Sequence, residues 1–252
     1  MQNKKIIFLA SDCESSRWVY NALKEKFAFE MAIIEAPLSK KKLFLNRLKK
    51  NKFFTVAGQA VFSLLMVPWL KRKTKKRKEA IINQYNLINT DFDLSKTIKI
   101  HSVNDESCKI LLHQINPTIV LVNGTRIISK KILQSTNAVF INMHMGITPL
   151  YRGSHGGYWA LHNNDAVNFG TTIHLIDAGV DTGEVLKQVF ITPDKADNFA
   201  TYPVLQAAIG IAALKEVLPM VLSGNYSTMP NTIKGKMYYQ PTLLKYLTSP
   251  VP

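Results

Sequence analysis

Pro117-Thr118-Ile119-Val120-Leu121-Val122-Asn123-Gly124 and Val139-Phe140-Ile141-Asn142-Met143-His144-Met145-Gly146 are the stretches on which the fold turns. Each is a short apolar run ending in polar residues, the pattern of a strand buried on both faces that stops at a loop. Between them Ser129 opens a short helical segment. Working outward, Thr97 to Val103 reads as a strand, with Asn104-Asp105 capping the helix that follows. Residues 5–10 and 30–35 read as strands on either side of a helix over about 14–27. Downstream come a helix near 155–163, paired strand signals at 170–176 and 184–192, and a long helical stretch from about 196 to 222. Pro203 belongs in the first turns of that stretch or at a kink, because proline in a helix interior removes a hydrogen bond. Strands alternating with helices imply an α/β class, a doubly wound, mostly parallel sheet with ligands at the carboxyl ends of its strands. Asn123-Gly124-Thr125-Arg126 and Asn142-Met143-His144 stand at two such ends.

Two residues apart in extended chain, Asn142 and His144 project to the same side. An amide and an imidazole facing one small volume suit acyl transfer, since attack of an amine on a formyl carbon puts negative charge on oxygen that N–H donors stabilise. The amine must lose a proton and the departing nitrogen must gain one, which calls for a carboxylate at the rim. Asp181, in Ile176-Asp177-Ala178-Gly179-Val180-Asp181-Thr182-Gly183, is the candidate. Each residue alone has a plainer reading: an asparagine capping a turn, a core histidine, an Asx-turn aspartate. His174, at an alternating strand position, reads as structural. His155 is near enough in sequence to His144 to touch substrate, and Arg152-Gly153 either clamps an anionic group or holds its loop.

The 252 residues are enough for one main domain with an appendage. Cys13 and Cys108 show no ligand spacing, so no metal is expected and reduced thiols in a cytoplasm are the simpler account. The run Ile6-Ile7-Phe8-Leu9-Ala10 is too short for a signal segment. A net charge of +15 is concentrated between Lys40 and Lys78, which hold 14 basic residues and no acidic one. Inside this stretch Phe53 to Leu70 is uncharged. It reaches the lower limit of a membrane span. A single span would leave the first strand on the far side of the bilayer from Asn142, His144 and Asp181, so a helix lying on an anionic membrane surface is the compatible membrane reading. Packing on the chain's own fold or on a second subunit is the other. Nucleic acid is disfavoured, because the basic runs are not interleaved with aromatic stacking platforms.

Asn142-Met143-His144-Met145-Gly146-Ile147-Thr148-Pro149-Leu150-Tyr151-Arg152-Gly153, with Trp159-Ala160-Leu161, Gly170-Thr171-Thr172-Ile173-His174 and Asp181-Thr182-Gly183-Glu184-Val185-Leu186-Lys187-Gln188, resembles the 10-formyltetrahydrofolate-dependent formyltransferases. The resemblance implies a Rossmann-like formyltransferase fold, with Asn142, His144 and Asp181 as its catalytic triad. It places the folate co-substrate beside Arg126-Ile127-Ile128 and Ala178-Gly179-Val180, held largely by backbone groups. Arg152, Gly153 and His155 are the candidates for contact with the acceptor. On this reading residues 1–223 form the catalytic domain, with a basic and apolar helical insert over about 38–92, and 224–252 form a tail. Four branches of the family set the expectation for the acceptor. The initiator-tRNA branch is associated with a C-terminal β-barrel, for which the tail looks too short. The hydrolase branch carries an N-terminal regulatory domain, and the glycinamide-ribonucleotide branch has a glycine-rich loop that Ser11-Asp12-Cys13 lacks. What remains is the branch most like this sequence, which N-formylates nucleotide-linked amino sugars for surface polysaccharide. A methionyl-tRNA formyltransferase-like enzyme is the alternative, and a non-catalytic membrane-surface adaptor is the alternative of another class. The expected setting is cytoplasmic, peripheral on the inner face of the membrane, with a homodimer open.

Overall fold

The computed structural model describes residues 4–39, 48, 52–231 and 235–251. Strand β1 (Ile6–Ser11) leads through α1 (Glu14–Lys24) to β2 (Phe29–Glu35). The chain then leaves the sheet for α2 (Phe53–Lys73) and α3 (Lys75–Gln84) before returning as β3 (Thr97–Ile100). Next come α4 (Glu106–Ile115), β4 (Ile119–Asn123), α5 (Lys130–Leu133) and β5 (Val139–His144). The short strand β6 (Tyr151–Gly153), α6 (Gly156–His162), β7 (Gly170–Leu175) and β8 (Val185–Phe190) follow. The chain closes with α7 (Tyr202–Ser223), β9 (Lys236–Tyr238) and α8 (Leu243–Leu247).

Over these residues the main sheet has seven strands in the order β3-β2-β1-β4-β5-β7-β8. The β1–β2, β2–β3, β1–β4 and β4–β5 pairs are parallel, while β7 runs antiparallel to both β5 and β8. Strand order reverses between β1 and β4, so the crevice outside their carboxyl ends is the expected ligand site. The two-residue period of the strands divides the core. Ile7, Leu9, Ile33, Val120 and Val122 face Cys108, Leu112 and Ile132 on one side. Ile6, Phe8, Ala32, Ile34, Leu121 and Ile141 face α1 and α7 on the other.

The insert is helical over Phe53–Lys73 and Lys75–Gln84 and returns to the sheet without regular structure over 87–92, and the sequence reading over 40–47 and 49–51 lies outside the described residues. Within α2, Phe62–Met66 adopts π-helical bonding, and Val67 N–H donates to Phe62 O. Pro68 cannot donate to the carbonyl four residues back, and a π turn is one way a helix absorbs such a missing bond. One face of α2 buries Val56, Gln59, Phe62 and Leu70. The Phe62 ring meets Phe199 at 4.9 Å and Tyr246 at 5.0 Å. Helix α3 sends Ile81 into the main core. It also sends Arg77 onto Asp197, with two hydrogen bonds of 2.8 Å.

The long C-terminal helix starts at Tyr202, later than the sequence pattern suggests, with Pro203 in its first turn. Residues 194–201 form capped turns instead. Asp194 N–H donates to Asp197, Ala200 N–H to Asn198 Oδ1, and Asn198 N–H to Thr201 Oγ1. Aspartate and asparagine side chains compete with helix for these backbone donors. The tail carries structure that composition does not reveal. Strand β9 pairs in parallel with β6, and Tyr246 of α8 is buried against the insert.

Candidate active site

A cavity of about 530 Å³ opens at the carboxyl ends of β4 and β5. Its wall contains Asn142 and His144 from β5, His174 from β7 and Asp181 from the loop that follows. Register explains their meeting: in the antiparallel pairing Asn142 stands opposite His174 and His144 opposite Thr172. Asp181 is brought in by a loop held by Asp177, whose Oδ1 accepts from Gly179 N–H at 3.0 Å and Thr182 Oγ1 at 2.6 Å. The Asx-turn therefore belongs to Asp177. Asp181 itself has φ +50, and its Oδ2 accepts the Gly153 N–H at 2.8 Å. A non-glycine residue in the left-handed region costs backbone energy, and such positions cluster at functional sites.

The four side chains form a connected ring. His174 Nδ1 lies 2.7 Å from Leu175 O, a pure acceptor, so Nδ1 carries the proton and Nε2 of the neutral ring accepts. Asn142 Nδ2 then donates to His174 Nε2 at 3.1 Å, which fixes the amide orientation and leaves the second Nδ2 hydrogen for the cavity. His144 donates from Nε2 to Tyr151 O at 2.8 Å, and its Nδ1 stands 3.4 Å from Asp181 Oδ2. Asp181 Oδ1 is 3.7 Å from His174 Nε2. His144 and His174 are 6% and 2% exposed. Burial pushes the His144 pKa below its ordinary value, against the opposing pull of the Asp181 charge and the Tyr151 carbonyl. Burial acts against ionisation of Asp181 too. When protonated, as at the acid pH where this carboxyl titrates, His174 and His144 outweigh it together with the Gly153 N–H and hold the carboxyl down to about 2. Close packing also fixes the His144 ring: a Cβ on Gly146 would lie 2.6 Å from His144 Nε2 and 2.6 Å from Tyr151 O.

Arg126, Ile127 and Ile128 line the opposite wall. The Arg126 guanidinium turns away from the cavity onto His101 O, Ala36 O and buried Glu35. The segment thus meets the cavity with backbone and with isoleucine side chains. The backbone N–H groups of Ile127 and Ile128 have no hydrogen-bond partner among the described residues. Gly179 and Val180 join the wall, whereas Ala178 is not part of it. Gly153 lines the cavity; Arg152 and His155 do not. Arg152 donates to Gly235 O at 2.8 Å, and the His155 ring packs on Phe199 at 4.5 Å. Arg152 of β6 thus ties to the residue before β9, and His155 packs on the turns that precede α7.

Two features escape the sequence reading. His174 is a member of the polar ring, in contrast to its reading as a structural strand residue. Only the strand register reveals this, because sequence alternation gives the face of the strand and not the residue opposite. The other is the rim formed by Met237, Tyr238 and Tyr239. The Tyr238 ring stacks on Tyr151 at 5.4 Å and lies 5.2 Å from Trp159, whose Nε1 donates to Tyr239 O. At the remaining edge Ser15 enters the wall, and Asn123 Nδ2 donates to Ser15 Oγ and Ser16 Oγ.

Among known proteins, the methionyl-tRNA formyltransferase of Thermodesulfovibrio yellowstonii is 33% identical over 136 residues, covering 53% of this chain and 43% of the relative. The chain thus spans less than half the length of that curated relative. The N-formyltransferase of Helicobacter canadensis, solved with folinic acid and dTDP-3-aminofucose, matches 94% of this chain and 71% of its own at TM-score 0.58 and 15% identity. Glycinamide ribonucleotide transformylase 1 of Symbiobacterium toebii matches 89% and 90% at TM-score 0.57 and 12% identity. These two structures share the fold. Residues 31–203, more than half of the chain, match the formyl transferase family over the strands and loops that build the polar ring, and the chain belongs to that family.

Proposed function

We propose that this protein transfers a formyl group from 10-formyltetrahydrofolate to a primary amine, the acceptor being a nucleotide-linked amino sugar. The observation that carries the reading is the convergence of Asn142, His144 and Asp181 at one wall of a single cavity. The co-substrate supplies an activated formyl carbon. The Ile127–Ile128 backbone and the Ile176–Val180 loop suit a flat, polar-edged pterin, offering unpaired N–H groups on an apolar wall. The acceptor nitrogen forms the new bond to carbon while the bond from carbon to the folate nitrogen breaks. The proton lost by the amine balances the proton gained by the folate nitrogen. Asn142 Nδ2, held by His174, donates to the oxyanion. The Nε2 proton of His144 is committed to Tyr151 O, so His144 serves through Nδ1. That nitrogen holds the transferred proton beside the Asp181 carboxylate, which orients the ring and stabilises its charged form.

The amino-sugar reading is supported by the Tyr238–Tyr239 rim, which offers planar surface to a nucleotide carrier, and by the dTDP-sugar bound to the Helicobacter canadensis relative in fold. The sequence relationship to a methionyl-tRNA formyltransferase supports a second reading, with charged initiator tRNA as acceptor. One experiment tests both. Purified protein is incubated with 10-formyltetrahydrofolate and, separately, nucleotide-linked amino sugars, glycinamide ribonucleotide and methionyl-tRNA, and products are identified by mass. Formylated amino sugar alone is the expected result. Formylated tRNA alone moves the acceptor to the second reading, and no formylated product from any acceptor removes the proposal.

A further inference from the structure

We propose that the outer face of α2, together with the adjoining α8, seats this protein on an anionic lipid bilayer. The inner face of α2 is fully used by the chain's own core, yet the outer face is as apolar as the inner one. Phe54 is 86% exposed, Leu64 73%, Leu65 67% and Trp69 54%, with Phe53 and Val61 also open to solvent. Phe54, Val61, Leu65 and Pro68 follow helical spacing and form one stripe along the helix. Helix α8 packs against the N-terminal half of α2 and exposes Leu244 and Leu247. Single exposed apolar residues need no explanation, but a contiguous row of large ones marks an interaction surface.

Charge selects the occupant. Arg77 and Lys78 are spent on Asp197 and Glu14, and Lys75 has Glu79 at 3.9 Å. Lys71, Arg72, Lys73 and Lys76 are exposed and have no ion-pair partner among the described residues. Lys73 lies over the Trp69 ring at 5.2 Å, so a cation and an interfacial aromatic share one end of the stripe. Lys52 is exposed at the other end, preceded in sequence by Lys49 and Lys50. An apolar stripe flanked by cations and aromatics fits acyl chains below anionic headgroups. A second copy fits poorly, since an isologous contact across this stripe would bring positive charge against positive charge at both ends in either direction of pairing. Crossing the bilayer is excluded by topology: β2, before α2, pairs with β3, after it, in one sheet. The seat is joined to the cavity as well. Gln59 of α2 donates to Gln240 O, and Gln240 donates to Ser63, next to the rim residue Tyr239.

The test uses the full chain with vesicles of phosphatidylcholine alone and of phosphatidylcholine mixed with phosphatidylglycerol. Sedimentation is expected to show at least tenfold preference for the anionic vesicles, decreasing with salt. Replacing Lys71, Arg72, Lys73 and Lys76 together by glutamine should weaken that binding more than tenfold, each cation being worth about fivefold. Trp18 and Trp159 are buried, so a blue shift of tryptophan emission on vesicle addition should vanish in Trp69→Phe. A Leu64→Ser, Leu65→Ser variant, altered only at exposed positions, should lose binding without losing its folded circular-dichroism signal. Absence of vesicle binding, or equal binding by wild type and the glutamine variant, overturns the proposal. So does a concentration-dependent dimer whose Trp69 emission is already shifted without lipid.

Discussion

Asp181→Asn separates the charge of this side chain from its shape. The amide can still accept from Gly153 N–H through its oxygen, but the carboxylate 3.4 Å from His144 Nδ1 is gone. Burial then acts on His144 opposed only by the Tyr151 carbonyl, so its proton affinity falls further below the ordinary value, and no carboxylate remains beside Nδ1 to stabilise the imidazolium. A positioned acid–base group contributes about 10²–10⁴ in rate, or about 3–5 kcal/mol at 1.36 kcal/mol per decade, so turnover should drop by that factor across the pH range. Acceptor KM should change little, because Asp181 acts on the transferred proton rather than on ground-state binding. The same carboxyl leaves a thermodynamic trace. Burial would raise its pKa, but the surrounding donors bring it to about 2. The unfolded value is about 3.9. A depressed carboxyl stabilises the folded state above the unfolded pKa and loses that contribution as pH falls through the folded one. Wild type should therefore lose about 2–3 kcal/mol between about pH 5 and pH 1 from this group, and Asp181→Asn should lack that component. Formyl product measured by mass gives the rate, and urea midpoints across pH give the linkage. Turnover within about threefold of wild type would refute the proton-holding role.

Asn142→Ala should retain folate binding, read by ligand-induced stabilisation, while turnover falls about 10²–10³, the usual cost of one oxyanion donor. His174→Ala should lower kcat through loss of the Asn142 orientation with KM little changed. In a double-mutant cycle its effect should largely disappear when Asn142 is already alanine, and full additivity would show that His174 acts independently. Arg77→Ala leaves buried Asp197 with its charge uncompensated by any ion pair and should cost about 3 kcal/mol, seen as a lower urea midpoint. An unchanged midpoint would mean that the insert is not fastened to the fold through this pair.

The sequence shows the sheet clearly because its strands are short apolar runs bounded by polar residues, a pattern the backbone can satisfy in few ways. Asn142 and His144 are legible for the same reason, since a period of two at a strand end sets their common side. Asp181 is legible through resemblance, but its left-handed backbone and its bond to Gly153 are properties of a folded loop. His174 is hidden because alternation does not specify pairing: one residue of slip between β5 and β7 would place a different residue opposite Asn142. The tail is hidden for a related reason, since β9 is three residues long and exists through its partner β6. The insert presents the opposite difficulty. Its apolar residues lie all round the helix, so hydrophobic pattern alone cannot say which side meets protein. Packing decides it, with Val56, Gln59, Phe62 and Leu70 turned inward and Leu64, Leu65 and Trp69 left outward. On the bilayer proposal, the apolar residues left outward are held for a contact outside the chain, and the unpaired cations beside them set the sign of its charge.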